Sequence, residues 1–499
     1  MIRTEARAAA RPPKEVPVPD RIDLEARTKK LRPLWFTSAK DMVQEMLHRP
    51  EATSPFPRAP TPSGAEPVLG HLRAGVTDTL ASFLRWRAEV GDVARLNMGT
   101  VDAHLIADPQ LVREILKDRH REFCKPIQGR TNMSRVVGNG LLVSEGDFWL
   151  RQRRIAQPAF HKRRIAGFGA RMSDAAVDLG DEWARRGSEP FDVAHDMMKV
   201  TLRIVQETLL GAEPSDDADR IGESVSYVIG AINSRFRQLI TPPETWPTRA
   251  NRRFNEHLGV LDDAVGSIIA KRRRDGADGD DLLSMLLRTE DEETGERMDD
   301  RQLRDEVMTI FLAGHETTAN ALSWTFYLLG KHPEVARRVR AELAEVLAGR
   351  APTAADYRAL PYTKMVFQEA MRLYPPAWIM ARAPRRDLEL GGYLMPAGSR
   401  LFISPWVVHR NPNVWPDPEG FDPERFRDPK SIDPFAYFPF GGGRRFCIGQ
   451  GFAMMEGVLI LATLCQRFRL ELVPGHPVEP EALVTLRPKH GVEVIARPV

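Results

Sequence analysis

One cysteine in this chain stands where it can do chemistry. Cys447 lies in the stretch Phe440-Gly441-Gly442-Gly443-Arg444-Arg445-Phe446-Cys447-Ile448-Gly449, with arginines before it and a helical pattern after it. The spacing of Ala453, Gly457, Leu461 and Leu464 predicts a helix over roughly 449–467. A cysteine just ahead of a helix N-terminus meets unpaired N–H groups and the positive end of the helix dipole, and both favour an anion. It is pushed towards thiolate, the form that binds metals or attacks electrophiles. The glycines let the backbone approach something flat or bulky where a Cβ would clash. A buried structural cysteine on a turn is the simplest reading. A phosphate-cradling loop fits poorly, because neither G-x-x-x-x-G-K-[ST] nor G-x-G-x-x-G lies over these residues.

The third reading is a haem ligand. Phe440, Gly443, Arg445, Cys447 and Gly449 spell F-x-x-G-x-R-x-C-x-G, which resembles the haem-binding loop of the cytochrome P450 family. The resemblance implies haem b (iron protoporphyrin IX), with Cys447 on the metal and Phe440, Gly441, Arg445 and Gly449 around the cofactor. Four further motifs agree with it in identity and order. Trp149 and Arg153, four apart and so on one helical face, match W-x-x-x-R, whose indole and guanidinium hold a haem propionate in the family. By themselves they would be a surface cation–π pair. Ala313-Gly314-His315-Glu316-Thr317-Thr318 is similar to [AG]-G-x-[DE]-T-[TS]. That likeness gives Glu316 and Thr317 the task of proton delivery during oxygen activation; otherwise they are a polar step on a core helix. Glu369 and Arg372 match E-x-x-R, and Pro423-Glu424-Arg425-Phe426 matches its partner segment. The implied buried Glu369–Arg372–Arg425 network is structural, whereas an exposed i, i+3 pair would contribute only a few tenths of a kcal/mol. Arg382 resembles a second propionate-binding arginine. His409 is the other candidate axial ligand, but no second ligand is near it in sequence.

The family reaction is insertion of one oxygen atom from O2 into a hydrophobic small molecule. Val136, Val137, Ile310, Leu312, Ala313, Gly314, Ile379, Leu483 and Val484 are the candidate pocket residues. They suit a fatty acid, terpenoid, steroid or polyketide-like substrate without choosing among them. Little chain follows the cysteine helix, so the electrons are expected from a separate ferredoxin or flavodoxin-like flavoprotein. Arg154, Arg444, Arg467 and Arg469 are its candidate basic docking surface. Two other classes share the motif: a haem sensor or carrier, and a haem isomerase, dehydratase or peroxygenase. The Glu316–Thr317 pair argues against both, since a sensor needs no proton relay and the second class often lacks the acid–Thr pair.

These groups need a large scaffold, and 499 residues are ample for one. Composition is ordinary globular, with 42% hydrophobic and 28% charged residues. A net charge of +3 is too balanced to point to nucleic acid. The odd set Cys124, Cys447 and Cys465 is no disulfide framework and fits a reducing, cytoplasmic compartment. No apolar run is long enough for a transmembrane helix, and no secretory leader is expected. Residues 1–60 read as an N-terminal extension and proline-rich linker, a loosely ordered tail unless Trp35 and Phe36 dock on the body or a membrane surface. Residues 61–499 read as a single haem-thiolate catalytic domain, mainly α with small β-sheets (α+β). Helices are expected over 77–90 and from Pro109 to about Lys117, with strands near Val93–Met98 and His104–Ala107. Residues 120–145 read as irregular and 160–275 as mostly helical. A helix starting at Asp299 or Asp300 runs to about Leu329 and carries Glu316 and Thr317 at its centre; another from about Lys364 carries Glu369 and Arg372.

Overall fold

The architecture follows from one long helix and the elements that pack around it. The computed structural model describes residues 55–99, 101–211, 218–237, 246–274, 279 and 281–499. Residues 1–54 of the expected tail, with Trp35 and Phe36, lie outside the described residues. The central helix spans Asp300–Lys331. Asp299 caps it by accepting a hydrogen bond from the Gln302 N–H, and the Gln302 side chain accepts one from the Asp299 N–H, a reciprocal capping box. It stops at His332 because Pro333 follows, and a residue before proline disfavours helical dihedrals. Its 32 residues reach about 48 Å at roughly 1.5 Å each.

Five further helices frame the central one. The cysteine helix spans Gln450–Arg467 and is buried along most of its length. Gly457 sits where a Cβ would lie 2.4 Å from the Phe367 ring, so it lets the Pro361–Leu373 helix pack close. Val193–Leu209 crosses the central helix at Gly314, where an added Cβ would meet Val205 and Leu209 at 3.3 and 3.7 Å. A roof helix, Ala218–Arg237, packs on Arg249–Arg274.

The largest sheet orders its strands Val93–Met98, Val101–Ile106, Arg400–Ile403, Met380–Pro384 and Phe123–Cys124. Val101–Ile106 pairs parallel with Arg400–Ile403, with Ala103 opposite Arg400; the other pairs are antiparallel. Smaller sheets join Phe191–Asp192, Glu493–Pro498 and Phe468–Leu472, and pair Pro480–Ala482 with Leu486–Pro488. The main apolar core lies among the helices, and a second one lies around the large sheet with Trp86, Trp378 and Trp406. The α+β expectation is met.

Two local expectations are corrected. Residues 120–145 are not wholly irregular, because Ile127–Val137 is a helix. The helix after Pro109 ends at Arg113 and continues as a wider turn over Glu114–Asp118. That turn meets the cysteine loop. Gly443 has φ +64° and a Cβ there would lie 1.8 Å from the Leu116 carbonyl, so only glycine fits. The close approach at Gly442 and Gly443 is therefore to the protein's own chain, where a flat ligand was expected.

Candidate active site

The cysteine loop is fixed from both sides. Cys447 N–H donates to the Phe440 carbonyl (2.9 Å), closing the loop on itself. The helix behind it has Gly449 at its N-cap and no side-chain cap. Its first N–H groups, from Gly449 and Gln450, are thus left to point at the Cys447 sulfur. Cys447 lies deep in the protein, yet its side chain borders open space large enough for water. Burial is the largest influence on its thiol and holds it above its ordinary value; the two N–H groups and Arg153 pull the other way. Burial thus opposes the expected drift to thiolate, and a cation beside the sulfur would favour it.

The expected buried network is present in geometry. Arg372 and Glu369 are fully buried and joined by two 2.7 Å bonds, Nε to Oε2 and Nη2 to Oε1. The remaining Arg372 donors go to the carbonyls of His409 (2.9 Å), Pro418 (2.6 Å) and Gly420 (2.8 Å), so all five are used. Arg425 Nε stands 3.4 Å from Glu369 Oε1, and its Nη atoms donate to the Pro416 and Asp417 carbonyls. His409 links this network to the cysteine loop. Its Nε2 accepts from the Phe438 N–H (3.0 Å), which leaves Nδ1 to donate to the Arg372 carbonyl (3.1 Å). Both ring nitrogens are occupied, so His409 is not a metal ligand. Burial, then the Arg372 charge, holds its pKa at about 3.

Basic side chains gather beside the loop. Arg445 donates to the Ser144 carbonyl (2.7 Å), pairs with Glu145 at 3.1 Å, and lies 4.0 Å over the Trp149 ring. Arg153 donates to the Phe446 carbonyl (2.8 Å), next to Cys447. Lys125, Arg130 and Arg382 complete the group, with Glu145 the carboxylate facing Lys125, Arg382 and Arg445. Burial and mutual repulsion push Arg445 down to about 10 and lower Lys125; burial lowers Arg382. A cluster with so little negative charge fits an anionic ligand, and the two propionates of haem suit it. Sequence reasoning found Trp149, Arg153, Arg382 and Arg445 but missed Lys125, Arg130 and Glu145.

The middle of the central helix is open on one face. Ala313 is exposed although Phe311 and His315, two residues to either side, are buried, and Thr317, one turn on, is half-buried. Thr317 Oγ1 donates to the Ala313 carbonyl (2.8 Å). Glu316 turns to a different face and is buried. Thr485 Oγ1 donates to its Oε1 (2.7 Å), and burial raises its carboxyl above the usual range. Thr485 and Asn320 were missed, although Asn320 is one turn from Glu316 and Thr485 follows Leu483-Val484. An open helix face, a cysteine bordering open space and a basic cluster together fit haem.

The pocket residues divide. Leu312, Ile379, Leu483 and Val484 are half-buried and Ala313 is exposed, as a lining needs. Val136, Val137 and Ile310 are buried in the main core. Gly314 packs against Val205 and Leu209 and so serves the helix crossing; the missing Cβ makes room for a neighbouring helix where room for a ligand was expected. The candidate docking arginines are mostly neutralised: Arg154 pairs with Asp291 and Glu293, Arg467 with Asp181, and Arg469 with Glu471.

The cytochrome P450 family model matches residues 60–494. The chain is 36% identical to cyclooctatin synthase of Streptomyces melanosporofaciens over 90% of its own length and 97% of the relative's. It is 38% identical to cyclooctat-9-en-7-ol 5-monooxygenase of the same organism, over 83% and 90%. Pentalenene oxygenase of Streptomyces avermitilis is 33% identical over 86% and 95%. By a family match across most of its length and relatives of this identity, the chain belongs to the cytochrome P450 family.

Proposed function

We propose that this haem-dependent monooxygenase oxidises a terpenoid, with Cys447 as the metal ligand and Thr317 and Glu316 as the proton-delivering groups. The observation that carries the site assignment is the Cys447 sulfur, bordering open space and met by the Gly449 and Gln450 N–H groups. The substrate class rests on relatives named for the oxidation of terpenoids and on the half-buried apolar residues Leu312, Ile379, Leu483 and Val484. Haem with a thiolate ligand supplies reductive activation of O2 and transfer of one oxygen atom. Haem b is the form proposed, since none of the three cysteines stands in a C-x-x-C-H attachment motif. Its propionates would be held by Arg153, Arg382 and Arg445, with Trp149 supporting Arg445 through the ring contact. The Cys447 sulfur would be kept anionic by N–H groups, Arg153 and the metal charge together.

Thr317 stands on the open face and passes a proton from its hydroxyl; Glu316, buried and readily protonated, stores one. We place residues 61–499 in one catalytic domain and the protein in the cytoplasm, in keeping with three unpaired cysteines. No helix among the described residues is long and apolar enough to cross a membrane. The redox partner is an acidic ferredoxin or flavodoxin-like protein. Its docking surface is the exposed run His161-Lys162-Arg163-Arg164, which borders a hollow of about 1060 Å³ lined also by Arg171. Ile165 seats that run on the cysteine helix at Gly451. The test is turnover of terpene alcohols with reductant and O2. Thr317→Ala should keep haem and substrate binding while product per reducing equivalent falls on the order of 100-fold, the low end for loss of general acid–base catalysis. Product formation that ignores O2, or coupling unchanged in Thr317→Ala, would contradict the reading.

A further inference from the structure

Each residue of the segment Leu483–Leu486 makes a hydrogen bond to a side chain elsewhere in the protein. Trp378 Nε1 donates to the Leu483 carbonyl (2.8 Å) and Trp324 Nε1 to the Leu486 carbonyl (3.1 Å). The Leu486 N–H donates to Pro376 (2.9 Å). Both ends are therefore fixed to the body of the protein. The middle is not fixed in the same way. The Val484 N–H donates to Asn233 Oδ1 (2.5 Å) on the roof helix, and Thr485 reaches the central helix.

At Thr485 the direction of the hydrogen bonds is set by its neighbours. Asn320 Nδ2 donates to Thr485 Oγ1 (3.1 Å), and Thr485 Oγ1 donates to Glu316 Oε1 (2.7 Å). Glu316 and Asn320 are one helical turn apart on one face, so they clamp the same hydroxyl. Thr485 and Glu316 are 6% exposed and Asn320 5%, so water does not replace these bonds. Asn233, also 5% exposed, keeps its Nδ2 buried without an acceptor among the described residues. Burying an amide donor unpaired costs stability. The fold tolerates that cost at the residue whose other atom holds Val484.

We propose that Thr485 is a positioning residue that sets the Glu316 carboxyl for proton delivery, and that the roof helix holds Thr485 in place through Asn233 and Val484. This rests on the proton-delivery role of Glu316 given above. The roof helix and the acid are joined by two successive residues of one strap, so a shift at Asn233 is passed to the carboxyl in one backbone step.

The experiment needs no substrate. Haem-loaded full-length protein is driven by a surrogate [2Fe–2S] ferredoxin and its reductase, and peroxide and O2 consumption are measured together. O2 with two electrons and two protons gives H2O2; with four of each it gives two waters. Misplaced protons raise the peroxide-to-water ratio. Thr485→Val, which keeps the shape and removes the hydroxyl, should raise that ratio roughly 3- to 10-fold, the equivalent of one lost hydrogen bond. Thr485→Ser should restore it. Asn233→Leu should raise it and Asn233→Asp, which keeps the acceptor, should not. The thiolate-type absorption of the carbon monoxide complex should survive in all four variants. A wild-type ratio in Thr485→Val, or equal effects of the Val and Ser variants, overturns the inference. Glu316→Gln separates the two levels: if it raises the ratio while Thr485→Val does not, only the positioning role falls. If Glu316→Gln itself leaves the ratio unchanged, the proton-delivery role falls and this inference with it.

Discussion

Arg372→Lys keeps the charge at the centre of the buried network and removes its geometry. Arg372 uses five N–H donors, two on Glu369 and three on the carbonyls of His409, Pro418 and Gly420. A lysine ammonium has three donors on a flexible stem and cannot make the paired contact to Glu369. At least two acceptors are therefore left without a partner in a region closed to water. Hydrogen bonds to charged groups contribute about 1.5–3 kcal/mol each, so the expected loss is roughly 3–6 kcal/mol. That is a large share of a total stability on the order of 5–15 kcal/mol. Arg372→Leu should cost more, because Glu369 then keeps only the 3.4 Å contact with Arg425 as its ionic partner. The assay is urea unfolding of the haem-loaded protein, followed by backbone circular dichroism and by haem absorbance. The carbonyls that lose their donor lead to His409 and so to Phe438, which predicts haem loss at lower urea than backbone unfolding. A lysine variant within about 1 kcal/mol of wild type would refute the reasoning, since a single neutral hydrogen bond accounts for that much.

Acidification should destabilise the protein through His409. Its folded pKa of about 3 lies below the ordinary 6.5, so the fold holds the neutral ring; that stabilisation is complete above 6.5 and is lost as pH falls towards 3. Between pH 6.5 and 5 the loss is about 2 kcal/mol at ~1.4 kcal/mol per unit, and His409→Gln should be spared it when unfolding midpoints are compared at the two pH values. Equal losses in both proteins would contradict this. Charge reversal at Lys162 and Arg163 should slow reduction by an acidic ferredoxin about 5- to 10-fold at low salt, with the effect fading as salt screens it. Arg469→Glu should stay within about twofold, because Glu471 already neutralises that arginine. Stopped-flow reduction rates across a salt series decide between them.

What the sequence disclosed, and what it hid, divides by distance along the chain. The central helix was legible to within two residues because its stop and start signals are local: Asp299 with Gln302, and His332 before Pro333. The Glu369–Arg372 pair was legible because both partners sit on one helical turn. The charge state of Arg154 was not, because Asp291 and Glu293 meet it from far along the chain. Glu145 hid in the same way: its partner Arg445 is three hundred residues on. The Ile127–Val137 helix was missed because Gly129, Thr131 and Asn132 give it little helical character, although Val136 and Val137 at its end are buried in the core. Gly314 was read as space for a ligand when it is space for Val205, which no spacing on one helix can tell. His409 bridges two backbone atoms, Arg372 O and Phe438 N–H, and a histidine used this way leaves no motif behind.

The central claim is that Cys447, as thiolate, is the metal ligand on which the chemistry rests. The measurement that tests it most directly is the absorption spectrum of the reduced protein with carbon monoxide, for wild type, Cys447→Ala and Cys447→His. The thiolate-type band should appear in wild type and be lost in both variants, with Cys124 and Cys465 unable to substitute. A variant that kept the thiolate-type band would contradict it.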